Sequence, residues 1–283
     1  MKKEIIDLRV TYAEGVGMNC VLLKARPVAG RLPECQPGQF AQLRVDAPGA
    51  FLRRPISIHD VEGDEISFLV QMVGEGTRWI GGLKPDDVLN AVLPLGKGFT
   101  IVGERRVESE GRMHANRTLL IGGGVGVAPL LFLGKRLKEQ GVRPTFLLGA
   151  RTKNLLLRLD AFRNVGEVLV TTEDGSMGEK GFVTQHPILQ SSIPNPQSSI
   201  PNPQSSILNS QSSILYVCGP MPMMKAVARL ARERGIPCEV SLENRMACGV
   251  GACLCCVEEM ADGHNRCVCT EGPVFDTKQL NWE

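Results

Sequence analysis

Six of the ten cysteines, Cys248, Cys253, Cys255, Cys256, Cys267 and Cys269, crowd one C-terminal stretch; Cys20, Cys35, Cys218 and Cys238 are scattered. The run Cys248-Gly249-Val250-Gly251-Ala252-Cys253-Leu254-Cys255-Cys256, followed by Cys269, has the spacing C-x4-C-x2-C-x12-C. Thiolates bind iron, and C-x4-C-x2-C is the spacing of plant-type [2Fe–2S] sites. A loop that wraps a two-iron core brings its backbone close to sulfide, and Gly249 and Gly251 permit the dihedrals this requires. Its amide N–H groups can hydrogen-bond cluster sulfur and help set the potential. Asp262-Gly263 supplies the turn of a hairpin that returns the fourth ligand. Structural zinc loops more often use paired C-x2-C knuckles, and only one C-x2-C belongs to this pattern. Cys255 adjoins Cys256 and should point elsewhere. Cys267 lies two residues before Cys269; on a strand the two share one face, so spacing does not choose between them. A disulfide framework needs an oxidising compartment, of which the sequence gives no sign. Cys20 and Cys238 read as buried small hydrophobes.

A second group of residues suits a flavin nucleotide. Arg53-Arg54-Pro55-Ile56-Ser57 offers an arginine fork for a pyrophosphate and a serine that can hydrogen-bond a flavin ring. Gly76 and Thr77, within Gly74-Glu75-Gly76-Thr77, open a short helix and offer backbone N–H groups to a phosphate. Each is common alone; together, in a barrel that precedes a nucleotide domain, they point to FAD. A third group is Gly122-Gly123-Gly124-Val125-Gly126-Val127-Ala128-Pro129, placed after a strand and before a helix, where a dinucleotide pyrophosphate binds. It does not meet the Rossmann fingerprint: counted from Gly122 the last small residue falls at Val127, and from Gly124 at Pro129. Cys218-Gly219-Pro220 ends a later strand, at the carboxyl edge of the sheet where α/β ligands bind. His59 and His264 have no sequence partners and read as surface or hydrogen-bonded residues.

The elements that must position these groups change character along the chain. Ile5–Tyr12, Val21–Ala25, Gln39–Val45, Pro55–His59 and Glu65–Val73 alternate with breakers such as Pro37-Gly38 and Glu62-Gly63-Asp64, which predicts a small antiparallel barrel. Arg78–Gly82 is a short helix within it. After the polar stretch Glu104–Asn116, apolar strands are predicted at Thr118–Ile121, Pro144–Gly149, Glu167–Thr172 and Leu215–Cys218. Helices at Pro129–Gln140 and Met221–Arg234 make this half a doubly wound parallel sheet. The expected division is a FAD barrel at 1–105, a NAD-binding α/β domain at 112–240 and a [2Fe–2S] module at 241–283. Residues 190–214 repeat a QSSIPNP unit whose paired prolines no helix interior tolerates, which predicts a disordered, dispensable surface loop.

The order of barrel with RRPIS, GEGT, GGGVGVAPL, CGP and a cysteine-rich tail resembles the ferredoxin–NADP reductase-like flavoproteins. RRPISI together with ENRMACGVGACLCCV and CVCTEGPVF is similar to the electron-transfer subunits of bacterial class 1B dihydroorotate dehydrogenases, over essentially the whole chain except the QSSI repeat. That resemblance implies FAD contacts at Arg54, Pro55, Ile56, Ser57, Leu69, Val70, Gln71, Gly76 and Thr77, and cluster ligation by Cys248, Cys253, Cys256 and Cys269. It implies a complex with an FMN-containing catalytic subunit, usually two of each chain. Electrons would then pass from FMN through the cluster and FAD to NAD+. Ile56 departs from the wider superfamily, where a tyrosine often stacks on the flavin. Small flavoprotein subunits of NADPH-linked ferredoxin or sulfide oxidoreductases share the fold and the cluster, but usually carry another sequence in place of RRPISI.

The totals exclude other classes. A formal net charge of +2 gives no reason to invoke nucleic acid or an anionic membrane. MKKEIIDLRV lacks the apolar core of a secretory leader, and the uncharged run from Thr118 is short and glycine-broken, so a cytoplasmic location is expected.

Overall fold

The computed structural model describes residues 2–17, 19–101, 117–190 and 213–282. The polar stretch before the second domain and the QSSI repeat fall almost wholly outside these residues. The first half closes into a six-stranded antiparallel barrel. Its strands are β1 (Glu4–Gly15), β2 (Cys20–Pro27), β3 (Phe40–Leu43), β4 (Arg54–Glu62), β5 (Glu65–Gln71) and β6 (Val88–Leu95), in the order β1-β2-β5-β4-β3-β6. The strand period of two sets the inside of the barrel. Leu8 and Val10, Leu23 and Ala25, Ala41 and Leu43, Ile66, Phe68 and Val70, and Leu89, Ala91 and Leu93 form one core. Helix α1 (Glu75–Gly81) follows β5; it begins three residues earlier than the sequence pattern suggests, because Thr77 closes its first turn. The Thr77 hydroxyl accepts N–H bonds from Val73 (3.0 Å) and Gly74 (3.1 Å).

The second half is a seven-stranded sheet. Its first members are β7 (Arg117–Gly123), β8 (Pro144–Ala150) and β9 (Glu167–Thr172), joined by α2 (Ala128–Glu139) and α3 (Leu159–Arg163). The short β10 (Glu179–Lys180) and α4 (Pro187–Gln190) follow, then β11 (Ser213–Cys218), α5 (Met221–Glu233) and β12 (Cys238–Ser241). The cysteine-rich segment adds a hairpin of β13 (Val257–Glu259) and β14 (Asn265–Cys267), then α6 (Val268–Glu271) and β15 (Val274–Asp276). The sheet order is β10-β9-β8-β7-β11-β12-β15, parallel except for the antiparallel pairing of β12 with β15. Thus residues 274–276, within the stretch expected to be the cluster module, supply the outer strand of the nucleotide sheet.

Both faces of this sheet are covered. Leu120, Leu148, Ile214 and Tyr216 pack with Leu130, Leu133 and Leu137 of α2. Their neighbours Leu119, Ile121, Leu147, Leu215 and Val217 face the other way, toward α5. On α5, Met224, Val227, Ala228 and Ala231 recur at helical spacing and are buried. Met224 and Val227 each contribute roughly 1.5–3 kcal/mol by leaving water. No helix among the described residues is long and apolar enough to cross a membrane.

Beside α2, Phe132 packs in the barrel core, and two polar contacts also join barrel and nucleotide domain. His59, 1% exposed, donates from Nδ1 to the Ala128 carbonyl at 2.7 Å. Lys135 forms ion pairs with Asp60 and Glu62. The cluster module also touches the barrel: Phe40 and Leu95 share a core with Cys256, Val268 and Cys269.

Candidate functional site

The cysteine loop is built from strained turns. Gly249 and Gly251 take φ of +70° and +86°, and Leu254 takes +57°, so the backbone coils tightly around its own thiols. The Val250 N–H donates to Cys248 Sγ at 3.4 Å, and the Cys269 N–H to Cys256 Sγ at 3.4 Å. Backbone N–H groups, led by that of Val250, lower the Cys248 thiol to about 6. Burial, with the Cys256 thiol beside it, pushes Cys269 up to about 12. Cys248 lies near Cys253, and Cys269 near Cys256, so the thiols fall in two pairs. Two irons that share sulfide each need two protein ligands, a requirement that paired thiols fit. No three His, Cys, Asp or Glu side chains among the described residues converge as a single ion would require.

The hairpin turn falls at Asp262-Gly263, as its spacing suggests. The return segment, however, is not one continuous strand. β14 ends at Cys267 and a helical turn begins at Val268, so Cys267 and Cys269 do not share a face. Cys269 is fully buried against Cys256, whereas Cys267 is half-buried. Cys255 is exposed, together with Val250 and Leu254.

On the barrel, β3 pairs with β4 in the register Phe40–Ser57, Ala41–Ile56, Gln42–Pro55 and Leu43–Arg54. The two arginines separate in role. Arg53 donates to the Gln42 and Asn90 carbonyls (both 3.2 Å) and to Asn90 Oδ1 (2.5 Å), which ties β3 to β6. Among the described residues Arg54 bonds nearby backbone oxygens, those of Leu52 and Arg53, and it lies over Gly76, where an added Cβ would sit 2.6 Å from Arg54 Nε. Pro55, Ile56 and Ser57 are half-buried beside it. On β5, Leu69 and Gln71 face out of the barrel, whereas the Val70 side chain lies in its core; only the Val70 backbone is left for a cofactor. The donor set and the glycine-made space under Arg54 suit an anionic, planar nucleotide.

The glycine turn joins β7 to α2 through a single 3₁₀ turn, with Gly124 at φ +58°. Gly126 abuts Gly219: a Cβ there would lie 2.5 Å from the Gly219 Cα. Gly123, Gly124, Gly126, Gly219 and Pro220 line a cavity of about 620 Å³ that reaches Cys20 and Gln71 of the barrel. Gly122 and Cys218 stand behind that wall. Gly122 packs on Val127, and burial raises the Cys218 thiol. Sequence reasoning missed Gly149, Arg151, Glu173 and Glu243, which also line the cavity. Gly149 lies at the carboxyl end of β8 and Arg151 just beyond it, a position the sheet rule would have flagged. Glu243, whose carboxyl is raised by desolvation, carries no local motif.

Barrel, sheet and glycine turn define the ferredoxin-reductase class of oxidoreductases. A solved NADH-dependent reduced ferredoxin–NADP oxidoreductase superposes with a TM-score of 0.76 at 29% identity, covering 97% of this chain and 90% of that one. The ferredoxin reductase of carbazole 1,9a-dioxygenase shares the fold with a TM-score of 0.63 at 19% identity, over 84% of this chain and 68% of its own. Residues 120–229 match the oxidoreductase NAD-binding domain. Residues 243–281 match the iron-sulfur cluster binding domain of dihydroorotate dehydrogenase B. A relative from Caldanaerobacter subterraneus subsp. tengcongensis is 38% identical over 249 residues, 86% of each chain, and one from Shouchella clausii is 37% identical over 251 residues, 87% of this chain and 86% of that one. The chain belongs to the family of these two relatives, the dihydroorotate dehydrogenase B (NAD(+)) electron transfer subunits.

Proposed function

We propose that this chain carries electrons from the FMN of a dihydroorotate dehydrogenase catalytic subunit, through a [2Fe–2S] cluster and FAD, to NAD+ in pyrimidine (UMP) biosynthesis. The observation that carries this reading is the joining of three sites in one chain: paired thiols, an arginine-over-glycine cradle and a glycine-turn cavity. A flavin supplies the conversion between single electrons and hydride that neither iron–sulfur cluster nor nicotinamide can make.

The residues divide that work. Cys248, Cys253, Cys256 and Cys269 would hold the cluster, with the N–H groups of Val250 and Cys269 steadying the sulfurs. Arg54 and the backbone at Gly76 and Thr77 take the FAD phosphates. Pro55, Ile56, Ser57 and the edge from Leu69 to Gln71 frame the ring. Gly123, Gly124, Gly126, Gly219 and Pro220 admit the nicotinamide dinucleotide, and Gly122 and Cys218 fix the wall behind them. The barrel, nucleotide sheet and cysteine module correspond to 1–105, 112–240 and 241–283, the last sharing β15 with the sheet. The exposure of Cys255, Val250 and Leu254 supports a reading in which the cysteine loop faces a catalytic partner, with two copies of each chain forming the complex in the cytoplasm.

The test is anaerobic co-purification with a candidate FMN subunit, followed by dihydroorotate-dependent NAD+ reduction. Stoichiometric FAD, iron and sulfide with NADH formation is the expected result. A loaded complex inert to dihydroorotate that reduces another acceptor with NADPH would move the chain to the ferredoxin-linked oxidoreductases. A colourless, zinc-loaded protein would refute both.

A further inference from the structure

Gln42 stands on β3 between the flavin cradle and the cysteine loop. Strand alternation sends Ala41 and Leu43 into the barrel core and Phe40 and Gln42 outward. Phe40, on that outer face, packs in the core that contains Cys256 and Cys269. Gln42 lies against the residue after Cys248: an added Cβ on Gly249 would fall 2.7 Å from Gln42 Nε2 and 2.6 Å from its Cγ. Its strand partner is Pro55, in the RRPIS segment. The side chain is 1% exposed, yet among the described residues neither Nε2 nor Oε1 has a hydrogen-bond partner.

A buried primary amide with both ends unbonded is costly, and native proteins nearly always satisfy such groups. An apolar residue of the same length would fill this space without that cost, so the amide has a use the polypeptide alone does not reveal. The residue it touches, Gly249, directly follows Cys248, whose sulfur is an acceptor. We infer that Gln42 is a positioning and tuning residue that donates its Nε2–H to sulfur of the [2Fe–2S] site, an inference that rests on the relay proposed above. A donated N–H stabilises the additional negative charge of the singly reduced cluster, so it raises the midpoint potential. Placed between Pro55 and Gly249, it biases the electron's residence on the cluster relative to the flavin.

The experiment is an EPR-monitored dithionite titration of the purified holoprotein, wild type against Gln42→Met and Gln42→Leu, with iron, sulfide and FAD quantified. The Met variant keeps the length of the side chain and removes the donor. Its midpoint potential falls below wild type, and pulsed EPR of the reduced cluster loses one weakly coupled amide nitrogen. Gln42→His, which restores a ring N–H, recovers part of the shift. Loss of the cluster from Met and Leu but not from His variants supports the same role. A potential and nitrogen coupling equal to wild type in the Met and Leu variants overturns the inference alone, as does loss of the cluster from all three variants. A wild-type holoprotein with no iron–sulfur signal overturns the inference together with the relay.

Discussion

Replacing Gly126 with alanine tests whether the glycine turn and the Cys218-Gly219-Pro220 segment act as one wall of the dinucleotide cavity. The added methyl would lie 2.5 Å from Gly219 Cα, 2.6 Å from Gly219 N and 2.7 Å from the Cys218 carbonyl carbon. Ordinary contact between such atoms begins at ~3.5 Å, so two backbone segments must part by about 1 Å. No flexible side chain can absorb that movement. Overpacking of this kind costs about 1–3 kcal/mol, and each kcal/mol lowers Tm by roughly 2–4 °C in a chain of this size. The functional cost is larger, because a displacement of about 1 Å in a positioning wall lowers rates about 10²-fold. NADH-dependent reduction of ferricyanide by the FAD-loaded chain should therefore lose about two orders of magnitude in kcat/KM, with FAD content unchanged. Gly124→Ala is the comparison, since nothing lies within 4 Å of a Cβ there and only its φ of +58° resists alanine. Gly126→Ala with wild-type kcat/KM would refute the reasoning, as would an equal loss in Gly124→Ala.

Other expectations follow from single contacts. Gly76→Ala displaces the Arg54 guanidinium, so FAD affinity falls roughly 10–100-fold by titration, as expected for a lost charge-assisted contact, while the apoprotein's Tm barely moves. Cys269→Ser abolishes the 2Fe–2S absorbance and Cys267→Ser retains it; iron-to-protein ratios check both. Burial, with Arg158, Lys135 and Lys24 facing it, lowers His59 from 6.5 to about 4, against the raising effects of its bond to the Ala128 carbonyl and of the Asp60 carboxylate beside it. Above pH 6.5 neither folded nor unfolded chain protonates it; as pH falls toward 4 only the unfolded chain does, so stability is lost across that window. At about 1.4 kcal/mol for each pH unit between the two, the loss is on the order of 3 kcal/mol. His59→Gln should flatten the fall of Tm between those pH values, and an unchanged slope would count against it.

The cysteine loop and the glycine turn were legible because each depends on local spacing. The second flank of the cysteine site was less so: whether Cys267 or Cys269 turns inward depends on where β14 yields to a helical turn, which packing against Phe40 and Phe275 decides. Arg53 and Arg54 look equivalent in sequence, yet the distant Asn90 captures Arg53 and leaves Arg54 to the cradle. Val88–Leu95 escaped notice as a strand because its apolar run, VLNAVLPL, alternates weakly and contains a proline. Three-residue β15 is too short to announce itself. Gln42 reads as an ordinary outward polar residue until the cysteine loop closes over it.

β15 carries one further consequence. It lies along β12, whose backbone would otherwise be the bare rim of a parallel sheet. An uncovered rim of that kind is a template on which another molecule can add a strand, and proteins commonly cap it. Here the cap is made from polypeptide that has just passed through the cysteine loop. Whatever keeps that loop folded therefore also guards the nucleotide domain against self-association, so failure to assemble the cluster would surface as aggregation as well as lost electron flow.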